Sequence, residues 1–216
     1  MSKKLPQTGS QEMRAFSMPD IRAEEGGNVI EGHAAVFGQA YDMYGCWEET
    51  IARGAFDNTD FSDVLFSVNH DLSRIPLARS RNNNANSTLR LTVDDQGLGT
   101  RAVLDTENNT EAKALYSSVG RGDVSGMSYI FRIRKDEWTE LDSDYPKRTI
   151  TDISKVYEVS AVSFPANPGT DISTRSQEAL ESAQKVLESA RARAQELESS
   201  AELEVLKLKN KIKSIV

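Results

Sequence analysis

Short apolar runs separated by turn residues fill most of the chain, and a different pattern begins near residue 175. Up to that point the apolar runs alternate with Gly, Pro, Asn and Asp, which is typical of an antiparallel β domain with a few helices. The predicted strands are 29–37, 63–68, 88–93, 98–104, 127–134, 148–153 and 156–163. The pattern therefore predicts a β-rich α+β domain over residues 21–174.

One helix is predicted between the fourth and fifth strands. Its apolar face is formed by residues at helical spacing: Ala112, Leu115, Tyr116 and Val119. Thr110 is placed to cap the start of this helix, and Gly120 and Gly122 are expected to end it. Residues 81–87 are polar and predict a flexible hairpin loop, and residues 1–20 are expected to form a loosely ordered arm.

Residues 175–216 contain no Gly, Pro or aromatic residue and predict one long helix. Small and apolar residues recur there in a heptad pattern whose phase drifts: Leu180, Ala183, Leu187, Ala190, Ala194, Leu197, Ala201, Val205, Leu208, Ile212 and Ile215. Such a seam favours a coiled coil or a helix docked on a partner, and the alternative is a helix that packs on its own domain.

Composition narrows the class of protein. The formal net charge of −7 argues against a nucleic-acid-binding module, which usually presents a basic face. Cys46 is the only cysteine, so an intrachain disulfide and a four-cysteine zinc site are both excluded. Neither a secretory signal nor an apolar run of membrane-spanning length is recognisable. We expect a soluble intracellular protein without a metal or cofactor.

Two histidines are available as general bases, because histidine titrates nearest to neutral pH. His33 lies among small residues inside a predicted strand, which favours a structural role. His70 follows the predicted strand 63–68, at a position where a functional side chain is held firmly but remains accessible. Taken alone, a single histidine of this kind is still more often structural.

The candidate nucleophile is Ser128, which stands at the start of an apolar strand just after Gly126. Backbone N–H groups near such glycines can stabilise an oxyanion, although a plain turn before a strand explains the same residues. Ser125 is a rival nucleophile. Glu158 is an acid within an apolar strand, so it either faces solvent or serves a buried polar network.

Several stretches together resemble one known family, in both order and approximate spacing. They are GHAAVFG, ETIARGAF at 49–56, NHD with His70, GDVSGMSYIFRI with Ser128 and YEVSAVSFPANPGT with Glu158. Over residues 12–174 the chain closely resembles the prohead maturation proteases of tailed bacteriophages. These enzymes are relatives of the herpesvirus protease assemblin.

The resemblance implies a mostly antiparallel β-barrel with surrounding helices, followed here by the C-terminal helix. It also implies a serine endopeptidase with Ser128 as nucleophile, His70 as general base and Glu158 as the third member, where herpesvirus enzymes use a second histidine. Arg74, Arg79 or a backbone N–H group is a candidate oxyanion donor. No metal or cofactor is implied.

The same resemblance implies partners and a location. The enzyme would act inside the immature capsid, in the host bacterial cytoplasm, on the scaffolding portion of the major capsid protein and on itself. The C-terminal helix would bind the scaffolding segment or self-associate, so deletion of residues 176–216 should lower incorporation and spare the chemistry. A rival role for that helix is a segment removed by self-cleavage near residues 165–180. The alternative function is a non-catalytic capsid-assembly or scaffolding protein.

Overall fold

The computed structural model describes residues 11–17, 20–163 and 174–213. The elements in chain order are β1 (Gln11–Ser17), β2 (Arg22–Ala23), β3 (Val29–Val36), β4 (Tyr41–Asp42), β5 (Glu48–Ile51), β6 (Leu65–Val68), β7 (Ala78–Arg79), β8 (Leu89–Val93), β9 (Gly97–Val103), α1 (Thr110–Arg121), β10 (Gly126–Thr139), β11 (Lys147–Val162) and α2 (Thr174–Lys213). These described residues confirm a β-rich chain with one long C-terminal helix.

The strands form two sheets within this part of the chain. In the first sheet the order is β1-β10-β11-β5-β4, and β6 also pairs with β11 and carries β7 on its other side. The second sheet has the order β2-β3-β9-β8. Large apolar side chains from both sheets share one core, among them Tyr129 and Phe131 of β10 and Leu89 and Leu98 of the second sheet.

The two sheets are open, so the prediction of a closed β-barrel is wrong. The first and second sheets approach each other where β7 meets the start of β8. There the backbone N–H of Arg79 donates to the hydroxyl of Thr88, at 2.9 Å, instead of to a strand carbonyl. Because β7 is only two residues long, no strand ladder continues from one sheet into the other at this point. The kinship with assemblin stays a prediction.

The two strands predicted at 148–153 and 156–163 are one continuous strand, β11. Its pairing with β10 shifts register at four points, where Thr151, Ser154 and Tyr157 of β11 and Arg134 of β10 are skipped. The buried side chains of β11 change phase between Ile150 and Ile153 and again between Ile153 and Val156. These changes interrupt the alternation, so the sequence pattern indicated two strands.

The predicted helix is α1, but its cap differs from the prediction. The side chain of Asn109 accepts hydrogen bonds from the N–H groups of Glu111 and Ala112, so Asn109 is the N-cap in place of Thr110. Gly122 ends the helix in the left-handed conformation, with φ of 78°, and Gly120 lies inside the helix.

The C-terminal helix α2 packs on the β domain through its first half. Ala183 and Leu187 lie in a cluster with Met43 and Trp47. Arg191 donates from its guanidinium to the backbone carbonyl of Leu141 at 2.9 Å. Exposed apolar side chains follow further along the helix: Leu197, Leu203 and Val205. The first half of the seam thus contacts its own domain. Leu208, Ile212 and Ile215 lie outside the residues whose side chains are described.

None of the described helices has the length and apolar character to span a membrane.

Candidate active site

Ser128 lies near the start of β10 and is fully buried. Its strand pairs on one side with β11, where Ser128 is opposite Ser160, and on the other with β1, where it is opposite Ala15. Its side chain has 0% exposure. The rival Ser125 precedes the strand and is exposed. The position of Ser128 is therefore fixed by strands on both sides.

His70 follows β6 in a tight turn of unusual conformation. Asn69 and His70 both have positive φ values, 51° and 59°, which non-glycine residues seldom adopt and which often mark functional sites. The N–H of Asn69 donates to the carbonyl of Ala161 at 3.0 Å. The N–H of His70 donates to the hydroxyl of Ser160, also at 3.0 Å. Strand β11 thus holds the backbone of this turn.

The structure brings the three predicted site residues together in one hydrogen-bonded chain. The Nε2 atom of His70 lies 2.5 Å from Oγ of Ser128, and its Nδ1 atom lies 2.6 Å from Oε2 of Glu158. The three residues come from β10, the turn after β6, and β11. This is the geometry in which an imidazole can accept a proton from a hydroxyl while a carboxylate fixes its tautomer.

Glu158 serves a buried polar network, so the alternative of a solvent-facing acid does not hold. Its side chain is 1% exposed. Its Oε1 atom accepts a hydrogen bond from the hydroxyl of Ser67, and Ser67 in turn lies 3.1 Å from the hydroxyl of Ser160. Both oxygens of the carboxylate are therefore satisfied, which a buried charge requires.

Comparison with known proteins identifies the family of the chain. The family described as caudovirus prohead serine protease matches residues 17–185. The chain belongs to this family. It is 30% identical over 142 residues to the prohead protease of Enterobacteria phage HK97, covering 64% of this chain and 56% of that protein. The chain therefore spans little more than half the length of this relative. The bacteriophage T4 capsid assembly protease is 12% identical, with a TM-score of 0.40, over 74% of this chain and 100% of that one.

In this member of the prohead protease family, β1 covers the serine. The hydroxyl of Ser128 lies 2.7 Å from the backbone carbonyl of Arg14 and can donate to it. A hydroxyl has a single hydrogen, so the Arg14 carbonyl competes with His70 for the same proton. With β1 in place, the side chain of Ser128 is therefore closed off from solvent.

A buried cluster of charged side chains joins β1 to the rest of the domain through ion pairs. The sequence did not indicate this cluster. It contains five side chains from four strands: Glu12, Arg14, Glu49, Asp136 and Arg148. Residues Gln11–Ser17 form a strand, although they lie within the segment 1–20 that was expected to be loosely ordered. Burial alone would raise the pKa of Glu12, but the charges of Arg14 and Arg148 outweigh it and lower this pKa from 4.5 to about 2.

The remaining candidates lie away from the Ser128 hydroxyl. His33 is held by Asp20 and Asp94, at 2.5 and 3.0 Å from its two ring nitrogens, on the second sheet. Arg74 is paired with Asp71 and Glu111. Arg79 is paired with Asp63, at 2.7 and 2.8 Å. Both arginines thus pair with surface carboxylates, and the structure does not bring either of them to Ser128.

Ser67 and Ser160 belong to this hydrogen-bonded group, although the sequence did not indicate them. Ser67 bonds Glu158 and Ser160 accepts from the N–H of His70, yet a serine in a β-rich chain gives no signal by its type alone. Ser160 follows Glu158 by two residues, so alternation along the strand places both side chains on the same face of β11. If Glu158 is buried, Ser160 is therefore a candidate member of the same polar network.

Proposed function

We propose that this chain is a serine endopeptidase of phage capsid maturation. Ser128 is the nucleophile, His70 the general base and Glu158 the carboxylate that orients the imidazole. The observation that carries the proposal is the continuous hydrogen-bonded chain from Ser128 through His70 to Glu158. Membership of the prohead protease family supports the same reading.

The mechanism follows from the positions of the protons. His70 accepts the hydroxyl proton at Nε2 as Oγ of Ser128 attacks the scissile carbonyl carbon, and then delivers that proton to the leaving amine. Glu158 accepts from Nδ1–H throughout, which keeps Nε2 free to act as the base and stabilises the imidazolium. Water then attacks the acyl-enzyme, with His70 again taking and returning a proton, and the carboxylate product leaves.

The proposed substrates are the scaffolding portion of the major capsid protein and the protease itself. The reaction takes place inside the immature capsid in the host cytoplasm. The relative from phage HK97 is likewise a prohead protease. The burial of Ser128 beneath β1 fits an enzyme that must stay inactive until the capsid has assembled.

The exposed second half of α2 is the proposed docking element, either for the scaffolding segment or for a second copy of the chain. Leu197 is 71% exposed, and Leu203 and Val205 are exposed as well. Because the first half of α2 covers Trp47, deletion of residues 176–216 would also uncover part of the domain. A deletion that begins after Arg193 therefore tests docking more cleanly.

The experiment that tests the proposed function is co-expression of the chain with the major capsid protein of the same phage. Ser128→Ala should abolish cleavage of the capsid protein. The matched control is Ser125→Ala, which changes the exposed neighbouring serine and should cleave normally. Unchanged cleavage by a folded Ser128→Ala variant would exclude Ser128 as the nucleophile, whereas no cleavage by the unaltered chain would support the non-catalytic assembly role.

A further inference from the structure

Strand β1 occupies the edge of the sheet at which an extended peptide would bind. It pairs antiparallel with β10 over seven residues, from Gln11 opposite Arg132 to Ser17 opposite Gly126. The other side of β10 is taken by β11. An extended peptide added to such an edge is held by its backbone, and its alternate side chains enter pockets that set specificity.

The backbone of β1 identifies which of its residues faces the nucleophile. The carbonyl oxygen at Ser128 belongs to Arg14, at 2.7 Å from Oγ. A substrate that follows the same path would present its scissile carbonyl there. Arg14 therefore occupies the position of the substrate residue that would contribute the scissile carbonyl group.

The side chain of Arg14 fills a buried acidic pocket. Its Nε and Nη2 atoms lie 2.5 and 2.9 Å from the two carboxylate oxygens of Glu49. Its guanidinium lies 5.7 Å from the centre of the Phe131 ring. Arg14 is 8% exposed and Glu49 only 1%. A planar guanidinium with two parallel bonds to a carboxylate is a highly selective arrangement.

A second contact lies two residues earlier, on the same face of β1. Glu12 accepts from both terminal nitrogens of Arg148 at 3.0 Å. Arg148 is also held from the domain side by Asp136 at 2.8 Å and by Glu49 at 3.1 Å. An acidic side chain at this position therefore has a fixed, buried cation as its partner.

The charges that remain without β1 favour a basic occupant. Glu49, Asp136 and Arg148 belong to β5, β10 and β11, so they stay in place when β1 leaves. Two carboxylates and one guanidinium carry one net negative charge, and β1 no longer neutralises it. Leaving such a charge unpaired is costly, and a basic side chain removes the cost.

We propose that Glu49 is a specificity-determining residue that selects a basic side chain immediately before the scissile bond, and that Arg148 selects an acidic side chain two residues earlier. The preferred substrate is then Glu-X-Arg, cut after the arginine, as in Glu12-Met13-Arg14. This inference rests on the proposed protease function. It adds to that function the charge of the substrate side chains that the site would select.

The test compares cleavage of synthetic peptides by the full chain. One peptide carries Glu-X-Arg-Ala, a second replaces Arg with citrulline, which has the same shape without the charge, and a third replaces Glu with Gln. Every peptide must displace β1, and the free energy of this displacement is the same for all three. It therefore cancels from the ratios of kcat/KM. We expect the citrulline peptide to be cut about 100-fold more slowly and the Gln peptide about 10-fold more slowly.

Two variants identify the residue responsible. Glu49→Gln should lose most of the preference for arginine over citrulline, whereas Glu48→Gln, the neighbour on the same strand, should keep it. If Glu49→Gln does not fold, the peptide series with the unaltered chain still decides the preference. Equal rates for arginine and citrulline, or no peptide cleavage while the capsid protein is still cut, would overturn this inference. Failure to cut both peptides and capsid protein would instead defeat the proposed function.

Discussion

The hydroxyl of Ser160 accepts a hydrogen bond from the backbone N–H of His70 at 3.0 Å. The strand that carries Glu158 therefore also holds the turn that carries the imidazole. Strand β11 thus positions both the imidazole of His70 and the carboxylate of Glu158. The distance of 2.6 Å between Nδ1 and Oε2 does not depend on a flexible loop. Positioning of this kind is what a catalytic hydrogen-bonded chain requires.

Ser160→Ala should lower kcat roughly 10- to 100-fold with little change in KM, because the turn loses its anchor and the imidazole its alignment. Ser160→Thr keeps the hydroxyl and should restore part of the rate. Steady-state kinetics on a cleaved peptide measures both. Ser154→Ala, on the same strand but bonded to the carbonyl of Arg132, is the control and should behave like the unaltered chain. A rise in KM alone would contradict the assigned role.

Glu158→Gln should reduce the cleavage rate by up to about 10⁴-fold, because the amide can donate to Nδ1 and favour the wrong tautomer of His70. Circular dichroism and the thermal midpoint should show that the variant remains folded. The exposed Glu137→Gln on β10 serves as the control. A loss of less than about tenfold would remove Glu158 from the mechanism.

The contribution of Glu12 to stability should depend on pH in a defined window. Its lowered pKa means that the charged form is favoured in the folded state, so the contribution is fully present above about pH 4.5 and is lost as pH falls through about 2. A pKa shift of this size corresponds to roughly 3 kcal/mol. Urea unfolding of the full chain and of Glu12→Gln should differ at pH 5 and converge towards pH 2. A constant difference across this range would contradict the assignment.

Leu187 and Leu197 should respond differently to the same substitution. Leu187 packs with Met43 and Trp47, so Leu187→Ala should lower the free energy of unfolding by about 2–3 kcal/mol. Leu197 is exposed, so Leu197→Ala should leave that free energy unchanged. Denaturant unfolding of both variants measures the difference. Equal losses would mean that α2 does not pack on the domain through its first half.

The order and spacing of the three candidate site residues carry the family resemblance, and the structure places them within hydrogen-bonding distance of one another. His70, Ser128 and Glu158 come from three separate elements, and no single stretch favoured catalysis. The burial of Glu158 could not be predicted from alternation, because residues 158–162 of β11 are all buried, on both faces of the strand. There β11 is a central strand, paired with β10 on one side and β6 on the other.

The rest of the fold depends on contacts between distant segments. Strand β1 is stabilised by buried ion pairs with Glu49 and Arg148, which lie 35 and 136 residues from their partners Arg14 and Glu12. Its own sequence, QEMRAFS, has only a weak strand pattern. The open sheets likewise follow from the short β7, where the Thr88 hydroxyl takes the place of a strand ladder.

The most direct test of the account is covalent labelling with a fluorophosphonate, which bonds phosphorus to an activated serine oxygen and releases fluoride. Arg14→Gln weakens the hold of Glu49 on β1, so this variant and the unaltered chain are labelled in parallel and digested for mass spectrometry. We expect an adduct on Ser128 that forms faster in Arg14→Gln and is lost when His70→Ala is added. An adduct on Ser125 or on another serine, in a preparation that cuts the capsid protein, would contradict the account.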